Sequence, residues 1–225
     1  MEAIDRLLVN KDLDSSGGSP GIVVSFFSMR GGVGRTTLAA NLAAALRRLG
    51  KQEVCLVDLS PSGGQAILHL RLKARASWIQ LPPPANLDWP ALKEILLMHQ
   101  SGLRVLAAPP QPQSPLNPSS ELTTAILGLL RRKMRFTVVD LPPVFSPAVQ
   151  AVVAQSDVMF HVVTPEVVSV QVARHSTQLL AAGNSQPMSF IDPSFPARHL
   201  RWAGRPDRLF PAVLAESRLA EELIE

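Results

Sequence analysis

With 225 residues, the chain is long enough for one sizeable α/β domain with a full core and too short to make a second large domain the expectation. Its formal net charge of +4 permits contact with nucleic acid or anionic lipid but requires neither. A single cysteine excludes a disulfide within the chain, and no apolar run reaches the roughly 18 residues that span a bilayer. We therefore expect a cytoplasmic protein with neither a secretory signal nor direct membrane insertion.

We expect the chain to consist of a short flexible segment followed by one folded domain. Residues 1–20 are expected to form a flexible segment, in which "IDRLLVN" could be a short amphipathic helix and "DSSGGSP" a linker. Whether that helix is a frayed tail or docks onto a partner stays open. Residues 21–225 are expected to form the folded domain.

From Gly21 onward, predicted strands and helices alternate. "GIVVSFFS" is a continuous apolar run typical of a buried parallel strand, and "TTLAANLAAALRRLG" predicts a helix that ends at Gly50. Further strands are predicted in "EVCLVDL", "LRVLAAP", "FTVVDLP" and "VMFHVVTP", with helices in "PALKEILLMHQ", at about 120–132, in "SPAVQAVVAQ" and in "EVVSVQVARHSTQLLAAG". The order predicts an α/β fold, with a mostly parallel β-sheet and helices on both faces. No strand is predicted after Gly183.

The stretch "SMRGGVGRTT", from Ser28 to Thr37, joins the first strand to the first helix. In that context Gly31, Gly32 and Gly34 allow backbone N–H groups to close around phosphates, and the helix N-terminus adds positive potential. A phosphate-binding loop of this kind normally carries a lysine where this chain has Arg35.

Three side chains near strand ends have the chemistry of a metal and phosphate site. Thr36 stands where a hydroxyl ligates Mg²⁺, and Asp140 follows the strand "FTVV", where an acid can hold the metal through water. Asp58, which ends "VCLVD", is a second such acid. The five histidines show no metal-ligand spacing, and His161 is expected to pack in a core strand.

The quoted motifs resemble those of a known superfamily. "MRGGVGRTTLAANLA" is similar to the deviant Walker A loop of the ParA/MinD superfamily of P-loop NTPases, "LVDLSPSGG" to its first switch, and "FTVVDLPPVFSPAVQ" to its Walker B strand and second switch. "GLRVLAAPPQPQ", "DLPP" and "VVTPE" are closest to the CpaE/TadZ branch, which is associated with pilus assembly.

This resemblance implies roles for particular residues. ATP or ADP would be bound by a loop that comprises Arg30, Gly31, Gly32, Val33, Gly34, Arg35, Thr36 and Thr37. Mg²⁺ would be held by Thr36 and Asp140, while Asp58 would sense the γ-phosphate region and is the candidate catalytic residue. Arg30 replaces the signature lysine that reaches the partner's nucleotide in a homodimer, and arginine can do this electrostatically.

Two departures from the superfamily pattern bear on hydrolysis. Arg35 puts a bulky planar group inside a loop shaped around lysine. Ser60 replaces the second aspartate of the first switch, and a hydroxyl cannot act as a strong base. We therefore expect weak or lost ATP hydrolysis. The superfamily's adenine-binding asparagine is not identified, and Asn184 is not assigned that role.

Three functions stay open. The first is an ATP-binding dimeric switch that positions or regulates a pilus or secretion machine, recruited to the inner membrane face or the cell pole by a partner. A cellulose-secretion accessory protein of the same superfamily is a variant of it. The second is a non-catalytic scaffold. The third is a ParA-like partition protein that binds non-specific DNA through basic residues such as Arg198, Arg201, Arg205 and Arg208.

The lack of cluster-binding cysteines and of tyrosine excludes iron-protein reductases and tyrosine autokinases, and the acidic C-terminus argues against direct membrane binding.

Overall fold

A computed structural model describes residues 20–61, 63–73, 75–111, 117–164, 166–181, 188–191 and 200–201. The strands are β1 (Ile22–Phe27), β2 (Val54–Asp58), β3 (Leu97–Met98), β4 (Arg104–Leu106), β5 (Phe136–Asp140), β6 (Val158–Val162), β7 (Met188–Ile191) and β8 (Leu200–Arg201). The α-helices are α1 (Arg35–Gly50), α2 (Ala66–His69), α3 (Trp89–Ile95), α4 (Ser120–Lys133), α5 (Pro147–Gln155) and α6 (Val167–Ala181).

The strands form one sheet in the order β3-β4-β2-β5-β1-β6-β7-β8. All neighbouring strands from β4 to β7 are parallel, and β3 and β8 add antiparallel edges. The expected α/β architecture is confirmed. Strands β1, β2, β5 and β6 are buried along their whole length, which explains why their sequences are continuous apolar runs.

Helices cover both faces of the sheet, as predicted. On one face, α1 packs its apolar stripe of Leu38, Leu42 and Leu46 against strand side chains such as Leu56 and Val138. On the other face, α4 and α5 bury a second set that comprises Ile126, Leu127, Leu130, Val149, Val152 and Val153. The sheet therefore lies between two apolar layers, and its strand ends are fixed relative to the helices that follow them.

Three short strands, β3, β7 and β8, are not predicted by the sequence analysis. The helix expected across "PALKEILLMHQ" ends at Ile95, and the chain then forms β3 and turns back into β4 through Gly102, whose φ is 83°. In the turn, the His99 N–H donates to the Leu103 carbonyl at 2.9 Å. The prediction of no strand after Gly183 is wrong, because β7 pairs in parallel with β6.

Several expectations lie outside the described residues. These are the flexible segment and its helix at 1–19, residues 182–187 with Asn184, and the C-terminal residues 202–225 together with Arg198. The division into a segment 1–20 and a domain 21–225 stays a prediction. Among the described residues, no helix is both long and apolar enough to cross a membrane.

Two buried titratable side chains belong to the core. Burial raises the pKa of the Cys55 thiol to about 12, so this cysteine behaves as a small apolar residue. Burial also lowers the pKa of His161 on β6 to about 3. The His161 ring centroid lies 5.6 Å from that of Phe27, and its Nε2 lies 3.3 Å from the Ser176 hydroxyl. The expected packing role of His161 agrees with this environment.

The lowered pKa of His161 predicts an acid-sensitive contribution to stability. The unfolded chain takes up a proton at His161 near pH 6.5 and the folded chain only near pH 3, so this contribution is present above pH 6.5 and is lost as the pH falls towards 3. Between pH 7 and pH 5 the loss is about 2 kcal/mol. Denaturant unfolding of wild type and His161→Asn at both pH values should show a steeper decline in wild type.

Comparing the two slopes cancels the contributions of all other titrating groups. His175→Asn replaces an exposed histidine of α6 and controls for the loss of an imidazole as such. Equal slopes for wild type and His161→Asn would contradict the assignment.

Candidate functional site

The carboxyl ends of the central strands β1, β2 and β5 meet at one edge of the sheet. Asp58 and Asp140 are register partners at the ends of β2 and β5, and Phe26 of β1 is aligned with Asp140 on its other side. The Leu59 N–H donates to the Asp140 carbonyl at 3.1 Å. Parallel strands place the residues that follow them at a common edge, so two aspartates 82 positions apart in sequence become neighbours.

The glycine loop connects β1 to α1 at the same edge. Gly32 and Gly34 have φ values of 77° and 83°, which residues with a Cβ rarely adopt. A Cβ added at Gly31 or Gly32 would meet nothing within 4 Å, so the loop faces open space. Val33, in contrast, is buried in the core and anchors the loop.

The loop's backbone donors are available to a ligand. Within the described part of the chain, the N–H groups of Gly31, Gly32 and Gly34 have no hydrogen-bond acceptor. The first turn of α1 begins immediately afterwards, where helical N–H groups also lack intrahelical acceptors. A concave loop with free N–H groups at a helix N-terminus fits the phosphate groups of a nucleotide.

Arg35 lies on the protein side of the loop. Its Nε donates to Asp140 Oδ1 at 3.1 Å, and its Nη1 donates to the Ser28 carbonyl at 2.9 Å. The side chain is 11% exposed. Arg35 thus joins the start of the loop, the start of α1 and the end of β5 through one guanidinium.

Thr36 and Asp140 are brought together as the sequence predicts. The Thr36 hydroxyl donates to Asp140 Oδ2 at 2.6 Å. Burial, and then the charge of Asp58, raise the pKa of Asp140 to about 6, against the opposing effects of Arg35 and the hydrogen bond from Thr36. A hydroxyl and a carboxylate are oxygen ligands that suit Mg²⁺, although here the carboxylate also pairs with a cation.

Magnesium would depend on few protein ligands at this site. In the residues that the structure describes, no group of three or more His, Cys, Asp and Glu side chains could hold a metal. A magnesium ion would therefore need Thr36, Asp140, water and oxygens of the nucleotide, as is usual for Mg²⁺ at phosphate sites.

Asp58 is bound to the backbone of the segment that follows it. Its Oδ1 accepts from the Ser60 N–H at 3.0 Å and its Oδ2 from the Ala66 N–H at 3.2 Å. The side chain is buried, and a Cβ at Gly64 would lie 2.5 Å from Asp58 Oδ2. In this conformation Asp58 organises the first switch segment, and both of its oxygens are occupied.

The remaining loop residues differ in their contacts. The Arg30 side chain forms an ion pair with Glu166, which follows β6. The backbone N–H of Arg30 donates to the Ser28 hydroxyl at 3.2 Å. Thr37 lies half-buried in the first turn of α1, and its carbonyl accepts from Asn41 Nδ2 at 2.8 Å. Sequence reasoning missed Glu166 as a site residue. Because β6 neighbours β1 in the sheet, the position of "VVTPE" after β6 was the available signal.

Comparisons with known proteins identify the family of the chain. The model of the family described as "Cellulose biosynthesis protein BcsQ" matches residues 22–215. The septum site-determining protein MinD of Synechocystis sp. is 29% identical over 172 residues, which cover 75% of this chain and 63% of MinD. The chain therefore spans less than two thirds of that relative's length.

Solved structures share the fold. The ParA family ATPase from Chlorobium tepidum TLS superposes with a TM-score of 0.70 at 19% identity, over 91% of this chain and 80% of that chain. MinD from Pyrococcus horikoshii OT3, solved in complex with Mg-ADP, superposes with a TM-score of 0.60 at 18% identity, over 91% of this chain and 78% of that chain. These structures show the fold, the family model and the MinD relative support the ParA/MinD superfamily, and none of these comparisons establishes the CpaE/TadZ branch.

Replacing Gly64 and Gly31 by alanine should have different effects on stability. Gly64→Ala places a Cβ 2.3 Å from that of Ala108 and 2.5 Å from Asp58 Oδ2, and overpacking of this kind costs about 1–3 kcal/mol. Gly31→Ala meets nothing within 4 Å and should leave stability unchanged while it weakens nucleotide binding. Thermal unfolding of both variants measures the contrast. Equal melting temperatures would show that the first switch packs differently in solution.

Proposed function

Since the chain belongs to the family of the cellulose biosynthesis protein BcsQ, we propose that it is an ATP-binding, dimeric switch that regulates a cellulose-secreting machine. The observation that carries this proposal is the open glycine loop, whose N–H groups have no acceptor among the described residues and which leads directly into Thr36, the hydrogen-bond donor to Asp140. A pilus machine of the CpaE/TadZ type is the alternative, favoured by the motifs "DLPP" and "VVTPE".

Nucleotide binding at the loop is supported by its shape and charge. Gly31 and Gly32 leave room for a ligand where side chains would otherwise stand. Arg30 and Arg35 flank these glycines in sequence, and arginine binds phosphate well because its charge is permanent and its donors lie in one plane. ATP and ADP are the ligands that we assign to Arg30–Thr37, and Thr36 and Asp140 are the side chains that a Mg²⁺ ion would have to use.

Homodimerisation is supported by the residues around the loop. Arg30 replaces the superfamily's signature lysine and is one third exposed, so it can be reached by a second copy. Val144, Val167 and Val168 are exposed apolar side chains in the segments that follow β5 and β6, on the same edge of the sheet. A partner surface would remove them from water, a favourable change. Recruitment to a membrane or pole would come from the partner machine.

Slow or absent hydrolysis is supported by the state of both aspartates. Asp58, our candidate catalytic residue, is held by two backbone N–H groups, and Asp140 by Arg35 and Thr36. Ser60 cannot replace a water-positioning carboxylate. These features also favour our second candidate function, a scaffold that never turns over nucleotide. The basic residues named for DNA partition have no described side chains, so that third alternative stays a prediction.

The first test is calorimetric titration with Mg-ATP, with the molar mass followed in parallel by light scattering. We expect micromolar binding, equivalent to about −8 kcal/mol, together with a doubling of mass. Gly31→Ala is the loop variant and Gly128→Ala on α4, remote from the loop, is its matched control. No binding at millimolar ATP with an unchanged mass would leave only the scaffold.

The second test restores the usual residues of the superfamily. Arg35→Lys combined with Ser60→Asp should raise steady-state ATP hydrolysis, because a slender ammonium releases Asp140 more easily and a carboxylate can orient the attacking water. Phosphate release measures the rate, and Arg48→Lys with Ser101→Asp, both exposed, is the matched double control. If this double variant hydrolyses ATP no faster than wild type, the site lacks more than a lysine ammonium and a water-orienting carboxylate.

A further inference from the structure

We propose that Arg35 takes the place of a divalent cation at this site, so that the loop accepts its nucleotide in the metal-free form. This inference rests on the proposed nucleotide-binding function and specifies the form of ligand that the same site takes. It depends on where Arg35 is held, on what its contact does to Asp140, and on which donors it keeps free.

The guanidinium of Arg35 is fixed at two points. Nε donates to Asp140 Oδ1 and Nη1 to the Ser28 carbonyl, so rotation about any single side-chain bond breaks at least one hydrogen bond. Only about a tenth of the side chain is exposed, and Asp140 is fully buried. Separating such a pair would leave a buried charge without its partner, which is strongly unfavourable. When a metal-free nucleotide enters the loop, no second cation arrives to pair with Asp140, so Arg35 stays at Asp140.

The same contact places a positive charge at the metal-binding carboxylate. Asp140 Oδ1 accepts from Arg35 and Oδ2 from Thr36, so both carboxylate oxygens already have a donor. A magnesium ion demands near-ideal octahedral geometry and gives up its water reluctantly. It would have to share Asp140 with a cation that remains charged at all accessible pH values. Arg35 and Mg²⁺ are thus competitors for one carboxylate.

Arg35 retains the donors that a phosphate needs. A guanidinium carries five N–H groups, and two of them are used by Asp140 and Ser28. Nη2 makes no hydrogen bond to any of the described residues. Because Arg35 directly follows the glycine loop, a charge that normally arrives with the metal is already present beside the loop. Lysine, with a single flexible ammonium, could not both neutralise Asp140 and keep a planar array of donors.

The test measures nucleotide affinity with and without metal. A fluorescent ATP analogue is titrated into wild type, Arg35→Lys and the exposed control Arg48→Lys, in millimolar Mg²⁺ and in EDTA. Wild type and Arg48→Lys should bind with dissociation constants that differ by less than about threefold between the two conditions, whereas Arg35→Lys should lose about tenfold or more in EDTA. Circular dichroism checks that each variant is folded.

A direct measurement of bound metal tests the proposal on the wild-type protein alone. Manganese added to the ATP complex of wild type should give the electron paramagnetic resonance signal of Mn²⁺ bound to free ATP only, with no protein-bound species. Wild-type binding that requires Mg²⁺, or a protein-bound manganese signal, would overturn this inference and leave the proposed function intact. Equal binding of Arg35→Lys in both conditions would overturn the role of Arg35. No binding under any condition would overturn the proposed function itself.

Discussion

The ion pair between Arg35 and Asp140 is the contact on which the site depends. It is almost completely buried, and it joins the end of a central strand to the first residue of α1 and, through Ser28, to the start of the glycine loop. A buried charge is tolerated only when it is paired and hydrogen-bonded. Arg35 and Asp140 consequently constrain each other, and the hydrogen bond from Arg35 to the Ser28 carbonyl ties together the two ends of the glycine loop.

The first switch segment is also held in place by the hydrogen bonds that a buried carboxylate requires. Asp58 is buried, no cation among the described residues pairs with it, and its oxygens accept hydrogen bonds from the N–H groups of Ser60 and Ala66. That arrangement pulls the intervening chain close to Asp58, and only glycine at position 64 leaves enough room. Ser60 thus contributes its backbone to the site. Its side chain leaves the segment without the second carboxylate that hydrolysis in this superfamily is expected to need.

How much the sequence predicts depends on whether a feature is local. The strands β1, β2, β5 and β6 and the long helices are encoded in their own apolar patterns, and the glycine loop in its spacing, so all were predictable. The proximity of Asp58 and Asp140 followed from the rule that parallel strands end at one edge. β7 is four residues long between prolines at 187 and 193, and it exists because β6 offers a pairing edge. The acidic partners of Arg35 and Arg30 lie over a hundred positions away and depend on rotamers, which no local pattern specifies.

Arg30 and Arg35 differ in how strongly their ion pairs are held. Arg30 pairs with Glu166, whose side chain is more than half exposed, and an exposed ion pair of this kind contributes about 0–1 kcal/mol. A competing partner can displace it at little cost. Arg35 pairs in the interior, where the same exchange would strand a charge. One arginine is therefore available to an incoming surface while the other is fixed within the loop. For the switch function that we propose, this difference favours signalling that a ligand is bound over repeated cycles of hydrolysis.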